Sequence, residues 1–237
     1  MKNLVTTREI EQVGESLIIK FMGNTSLLKV DIERFIRTFL HLKIIYTNIA
    51  EEDVDKIGFL SDGIYPLKIY ENGSIIERIY LKGTIVLDRY LLSQDNANKR
   101  RFVLAHEAAH VIYERMNPHS PKAAFNRCFD NTREYTVEEL QKRFNLCETQ
   151  VDRLASVLLM PNHLVQAALF HYNGGRNIRV YGNGVLKSCD KLTVASIAES
   201  MGVSLRRILS RMSDLGYLEH RDINEYIETE MNFGGGF

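Results

Sequence analysis

Arg101-Phe102-Val103-Leu104-Ala105-His106-Glu107-Ala108-Ala109-His110 is the stretch that decides the fold, because it sets H-E-x-x-H in a run of small and apolar residues. Helical periodicity places positions i and i+4 on one face, so His106 and His110 can offer two imidazole nitrogens to one metal ion. Glu107 then stands beside the open side of that ion. An ion held in this way lowers the pKa of a bound water towards neutrality, and an adjacent carboxylate can take the proton as the water attacks a polarised carbonyl. Glu107 is the candidate general base. The flanking Phe102, Val103, Ala105, Ala109, Val111 and Ile112 predict a buried helix whose polar side chains gather at one place. Two imidazoles and a carboxylate on such a helix are costly to bury without a metal, a satisfied pair of core histidines being the alternative.

The helix starts near Asn96 to Lys99 and stops before Asn117-Pro118. A loop is expected over 117–135. Thr136 with Glu139 then opens a short helix bearing Val137, Leu140 and Phe144. A further helix runs from Glu148 to Pro161. Two histidines leave a catalytic zinc site one protein ligand short. Tyr113 and Met116 stand where a pattern with a third histidine needs Gly and His. A glutamate on a later helix is the other route, and Glu148 with Asp152 one turn on supplies a carboxylate ligand and a second acid to orient an imidazole.

Both stretches resemble motifs of a known family, the ImmA/IrrE metallopeptidases. Arg101-Phe102 with Ala105 to His110 matches R-F-x-x-A-H-E-x-x-H, and Glu148, Asp152, Ala155 and Leu158-Leu159-Met160-Pro161 match E-x-x-x-[ND]-x-x-A-x-x-L-L-M-P. The resemblance covers residues from about 60 to 172. Leu154 replaces an aromatic common in the second motif, and the spacer between the motifs is long. The resemblance implies that His106, His110 and Glu148 are metal ligands, that Glu107 is the base and that Asp152 orients a ligating histidine. It implies a zinc-dependent endopeptidase of gluzincin type, acting on a helix-turn-helix transcriptional repressor as an antirepressor protease. Zn2+ is the expected cofactor, and His/Glu ligands also accept Mn2+.

Composition fits this reading. The 237 residues are 45 % hydrophobic and 25 % charged with a formal net charge of +0, the profile of a globular protein without a basic field for nucleic acid. Cys128, Cys147 and Cys189 are widely spaced and contain no C-x-x-C pair, which fits a reducing compartment. No apolar signal core follows Met1 and no apolar run approaches a membrane span, so the expected location is the cytoplasm.

Upstream, Thr6 and Glu9 form a capping box before Ile10, Val13, Leu17 and Phe21, predicting a helix to about Gly23. Val30 to Leu40 has helical spacing, and Ile44 to Thr47 is β-branched enough for a strand. Glu51, Glu52, Asp53 and Asp55 are expected in a solvated turn. Ile64 to Asp88 has a β pattern, with Asn72-Gly73 as a hairpin signal and Thr84 to Asp88 as a last strand. An edge strand here would serve substrate recognition by β-augmentation. Downstream, Ile178-Arg179-Val180 suggests a small hairpin. Val194 to Leu209 reads as helix, Gly-containing turn and a second helix capped by Ser204. Arg206, Arg207 and Arg211 of that segment could meet phosphates, although neutral charge favours packing over DNA. Phe233 to Phe237 reads as a frayed tail.

The expected fold class is therefore α+β: a small antiparallel sheet packed on the H-E-x-x-H helix and a second ligand-bearing helix, with helical N- and C-terminal segments. The expected division is 1–62 for the helical and β N-terminal part, 63–172 for the metallopeptidase core, and 173–237 for the hairpin loop and helix-turn-helix-like segment. A DNA-binding or repressor-sequestering regulator with a structural or vestigial metal site is the rival reading.

Overall fold

A computed structural model describes residues 5–23, 25–53, 56–117 and 137–228, with side chains from Leu146 onward in the last of these spans. The chain divides into two compact units, Met1–Thr25 with Val30–Pro161, and Ser26–Lys29 with Asn162–Phe237. The architecture is mixed α+β, with helices and small sheets of two or three strands.

In the first unit, α1 (Thr7–Met22) begins at the expected capping box, Thr6 and Glu9 satisfying each other's backbone N–H groups. Such caps stabilise a helix by about 1 kcal/mol. Gly23 ends it at φ 61°, a conformation that glycine reaches without a Cβ clash. The stripe that α1 buries is Ile10, Gly14 and Ile18, one residue round from the Val13 and Leu17 positions of the sequence pattern. A methyl group on Gly14 would lie 2.6 Å from Cγ1 of Val157, so α1 rides directly on α4 (Val137–Leu159). A helical turn α2 (Ile32–Arg34) continues as a π-helical turn, Phe35–Phe39. The Phe21 ring meets the Phe35 and Phe39 rings there, at 5.3 and 6.0 Å between centroids.

Strands β1 (Lys43–Thr47), β2 (Gly58–Leu60) and β5 (Thr84–Asp88) form one sheet in the order β1-β5-β2, with β1 parallel and β2 antiparallel to β5. The sheet is thus mixed rather than wholly antiparallel. β5, the last strand of the sequence pattern, is central; the edge beside the helices is β2, a strand the pattern did not mark. β3 (Leu67–Glu71) and β4 (Ser74–Arg78) pair as the expected hairpin. Asn72 and Gly73 both have positive φ, 50° and 85°, which gives the turn the twist that hairpin strands require. Phe59, Leu67, Ile69, Tyr80 and Val86 close a core cluster between the hairpin and the sheet.

The helix that carries the motif is α3 (Ala97–Met116), within the predicted bounds. It packs on α4 and on β2 and β5. The short helix and the functional helix expected after residue 136 are one continuous helix, α4. Thr136, the side chains at Val137, Glu139, Leu140 and Phe144, Asp55, Cys128, residues 118–135 and the Phe233–Phe237 tail lie outside the described residues.

The second unit contains α5 (Asn162–Asn173), β6 (Ile178–Tyr181), α6 (Ser188–Met201), α7 (Leu205–Asp214), β7 (Leu218–Arg221) and α8 (Ile223–Tyr226). The helix-turn-helix expectation holds: Gly202 is left-handed at φ 65°, and Ser204 caps α7 by accepting from the Arg207 N–H. β6 makes a tight bridge from Tyr181 to Val185, but its main partner is the parallel strand β7. Arg211 is 1 % exposed, held in the core of this unit with Ile208 and Met212, so it offers no charge to phosphates. Among the described residues no single helix is long and apolar enough to cross a membrane.

Candidate metal centre

The face of α3 that meets α4 carries His106 and His110, and the facing turn of α4 carries Glu148 and Asp152. The first three converge. His106 Nε2 lies 3.1 Å from His110 Nε2, and Glu148 Oε2 lies 3.4 Å from the former and 3.7 Å from the latter. Donor atoms held at about 2.1 Å around a tetrahedral centre are separated by about 3.4 Å, so the triangle has the size of three zinc ligands. Two imidazole nitrogens facing each other across 3.1 Å repel unless a proton or a cation lies between them. The donor set therefore fits a divalent ion, with nitrogen and carboxylate ligands and room for a fourth partner on the cleft side.

Asp152 stands outside the triangle. Its Oδ1 lies 2.9 Å from His106 Nδ1, the ring nitrogen turned away from Glu148. Nδ1–H donating to this carboxylate leaves the Nε2 lone pair aimed into the triangle, and the charge behind the ring raises its basicity.

Electrostatics in the metal-free site follow from burial and from these contacts. For His106, burial opposes the cation, but hydrogen bonds to Asp152 and Glu148 and the nearby Glu107 outweigh it and raise the pKa to about 10. His110 is driven down to about 4 by burial and by the neighbouring His106 charge. Glu148 is itself disfavoured by burial, yet the two histidines hold its pKa below the usual carboxylate value. Glu107, 8 % exposed, is pushed up to about 7 by desolvation, with Glu148 adding to the rise and His106 opposing it. A carboxyl group of that pKa is matched to accepting and returning a proton near neutrality.

The centre opens into a cleft of about 660 Å³, lined by Phe102, Val103, Glu107 and the three convergent residues on the helix side. The opposite wall is Glu51 to Asp53, Lys56, the backbone and side chains of β2, and Lys68 of β3. Glu51 pairs with Lys56 at 3.2 Å and accepts the Lys68 backbone N–H at 3.1 Å; Lys68 Nζ lies 3.5 Å from Glu52. Of the acidic segment expected as a solvated turn, Glu52 and Asp53 are exposed as expected, and Glu51 to Asp53 also form a wall of the cleft, a place the pattern did not mark. Gly58 was also missed. Its Cα abuts Glu107 so closely that any side chain would meet the carboxylate, a relation between a strand and a helix 49 positions apart in sequence. The only local signal was a glycine beside Phe59-Leu60. His163 and His171 lie on α5 in the second unit and carry no assigned role.

Residues 40–213 match the model of a family described as Peptidase_M78: IrrE N-terminal-like domain, a match that spans well over half of the chain. No curated protein matches the chain closely enough to count as a relative.

Proposed function

Since the chain belongs to the Peptidase_M78 family, with its IrrE N-terminal-like domain, and is therefore of metallopeptidase type, we propose that it is a zinc-dependent endopeptidase acting on a protein substrate. The observation that carries the reading is the triangle of His106 Nε2, His110 Nε2 and Glu148 Oε2, sized for one ion. Mn2+ is the other ion this ligand set accepts. A divalent ion bound there supplies Lewis acidity, which polarises a carbonyl and acidifies water.

The protein's own residues do the rest. Glu107, buried beside the triangle with its carboxyl pKa pushed up by desolvation, takes the proton of the attacking water and delivers it to the leaving amine. Asp152 fixes the tautomer of His106. β2 is an edge strand of its sheet, paired with β5 among the described strands, and it lines the cleft together with Glu107. An extended substrate main chain aligned on that edge would have its carbonyl brought over Glu107.

The repressor substrate is carried by the motif resemblance, with a helix-turn-helix transcriptional repressor as the target and a cytoplasmic site of action. The test is to incubate the purified chain and zinc with a repressor encoded beside its gene and to look for fragments by mass spectrometry. Metal-dependent cleavage that disappears in Glu107→Gln supports the reading. An intact repressor with fully zinc-loaded protein removes the repressor as substrate, and a protein that takes up no metal removes the peptidase reading.

A further inference from the structure

Glu148 accepts a hydrogen bond from His106, and its place relative to both histidines follows from where its helix stands. What fixes that helix lies one turn away. Tyr113, three residues after His110 and 6 % exposed, donates its hydroxyl hydrogen to Oε1 of Gln150. Gln150, two residues after Glu148, donates from Nε2 to the backbone carbonyl of Val5, a buried residue just ahead of α1. The direction of this chain is determined. A carbonyl cannot donate, so the amide nitrogen must face Val5, and the amide oxygen is left to accept from the tyrosine. α1 is itself seated on α4 through the Gly14 and Val157 contact.

We infer that Gln150 is a positioning residue: with Tyr113 and the Val5 carbonyl it clamps α3, α4 and the N-terminal segment together, and so sets where Glu148 stands relative to His106 and His110. Each end of the half-buried amide is satisfied only when all three segments are in place, so the clamp closes at one spacing of the two helices. A triangle with edges between 3.1 and 3.7 Å tolerates little slippage of that spacing. The inference rests on the metal reading of the site.

The test uses the full chain and Co2+ as the probe, because its visible d–d bands report coordination geometry. Tyr113→Phe removes one oxygen and keeps the ring in its packing; Gln150→Leu removes the amide at similar volume. Far-UV circular dichroism confirms that each variant is folded. The expected result is a Co2+ affinity about 10-fold weaker in both variants, at the lower end of the loss seen for groups that support metal ligands, with altered d–d bands. Gln150→Glu, which still accepts from Tyr113 but cannot donate to Val5, should fall between wild type and Gln150→Leu. Folded variants with wild-type affinity and spectra overturn the clamp and leave the metal reading standing. Wild type that binds no Co2+ overturns both.

Discussion

Gly58 backs directly onto Glu107: a methyl group built on its Cα would lie 2.7 Å from Oε1 of the glutamate and 2.5 Å from Cγ1 of Val103. Its backbone is not among the positive-φ positions, so glycine is required here for space rather than for conformation. Gly58→Ala should cost about 1–3 kcal/mol as an overpacked contact, since neither strand nor helix can retreat freely. It should also lower turnover by displacing the carboxylate, while leaving metal content unchanged. Thermal unfolding, peptidase assay and elemental analysis on one preparation check this; an alanine variant with wild-type stability and turnover would show that the contact is slack.

Glu107→Gln keeps the shape of the side chain and loses the ability to accept a proton. The variant should bind zinc and fold as the parent does, with cleavage reduced by roughly 10²- to 10⁴-fold. Undiminished cleavage would take Glu107 out of the reaction.

Asp152→Ala removes the acceptor 2.9 Å from His106 Nδ1. Zinc affinity should weaken by roughly 10- to 100-fold, because the imidazole loses both its fixed tautomer and part of its basicity. A competitive titration with a chromophoric chelator measures this. Equal affinities would reduce Asp152 to a surface carboxylate.

Above neutral pH, metal uptake should depend on pH through His106. At neutral pH the metal-free site keeps His106 protonated, its pKa being about 10, while His110 at about 4 is already neutral and Glu148 is held ionised. An ion binding at His106 Nε2 must displace that proton, so apparent affinity should rise about tenfold per pH unit as pH climbs towards 10, and fall as pH drops. Calorimetric titration in buffers of different ionisation enthalpy should count about one proton released per ion near pH 8. A count of zero would mean that the proton is not on His106.

Much of this site was legible in the sequence because its chemistry is local. His106, Glu107 and His110 share one helical turn, Glu148 and Asp152 share another, and a period of 3.6 residues fixes which side chains meet a common face. The same locality made the ends of α1 and α3, the Asn72-Gly73 hairpin and the cap of α7 readable. Where the identity or burial of a single element or residue depended on distant segments without such a motif, the reading missed it. β2 is three residues long and takes its identity from pairing with β5; β5 itself was marked as a strand but not as the central one. Arg211 looks like any solvent-seeking arginine in sequence, and only the packing of the second unit buries it.

The sequence by itself determined which donor types lie on which helix, and therefore that a metal-dependent hydrolase was the reading to test. Only the tertiary structure decided that the two helices meet with His106 Nε2, His110 Nε2 and Glu148 Oε2 within 3.7 Å of one another, and that Gly58 and the Glu51–Asp53 segment wall the cleft. The reason is physical: helical periodicity is written in neighbouring residues, whereas the spacing of two helices is set by every side chain packed between and behind them, from Gly14 on Val157 to Tyr113 on Gln150.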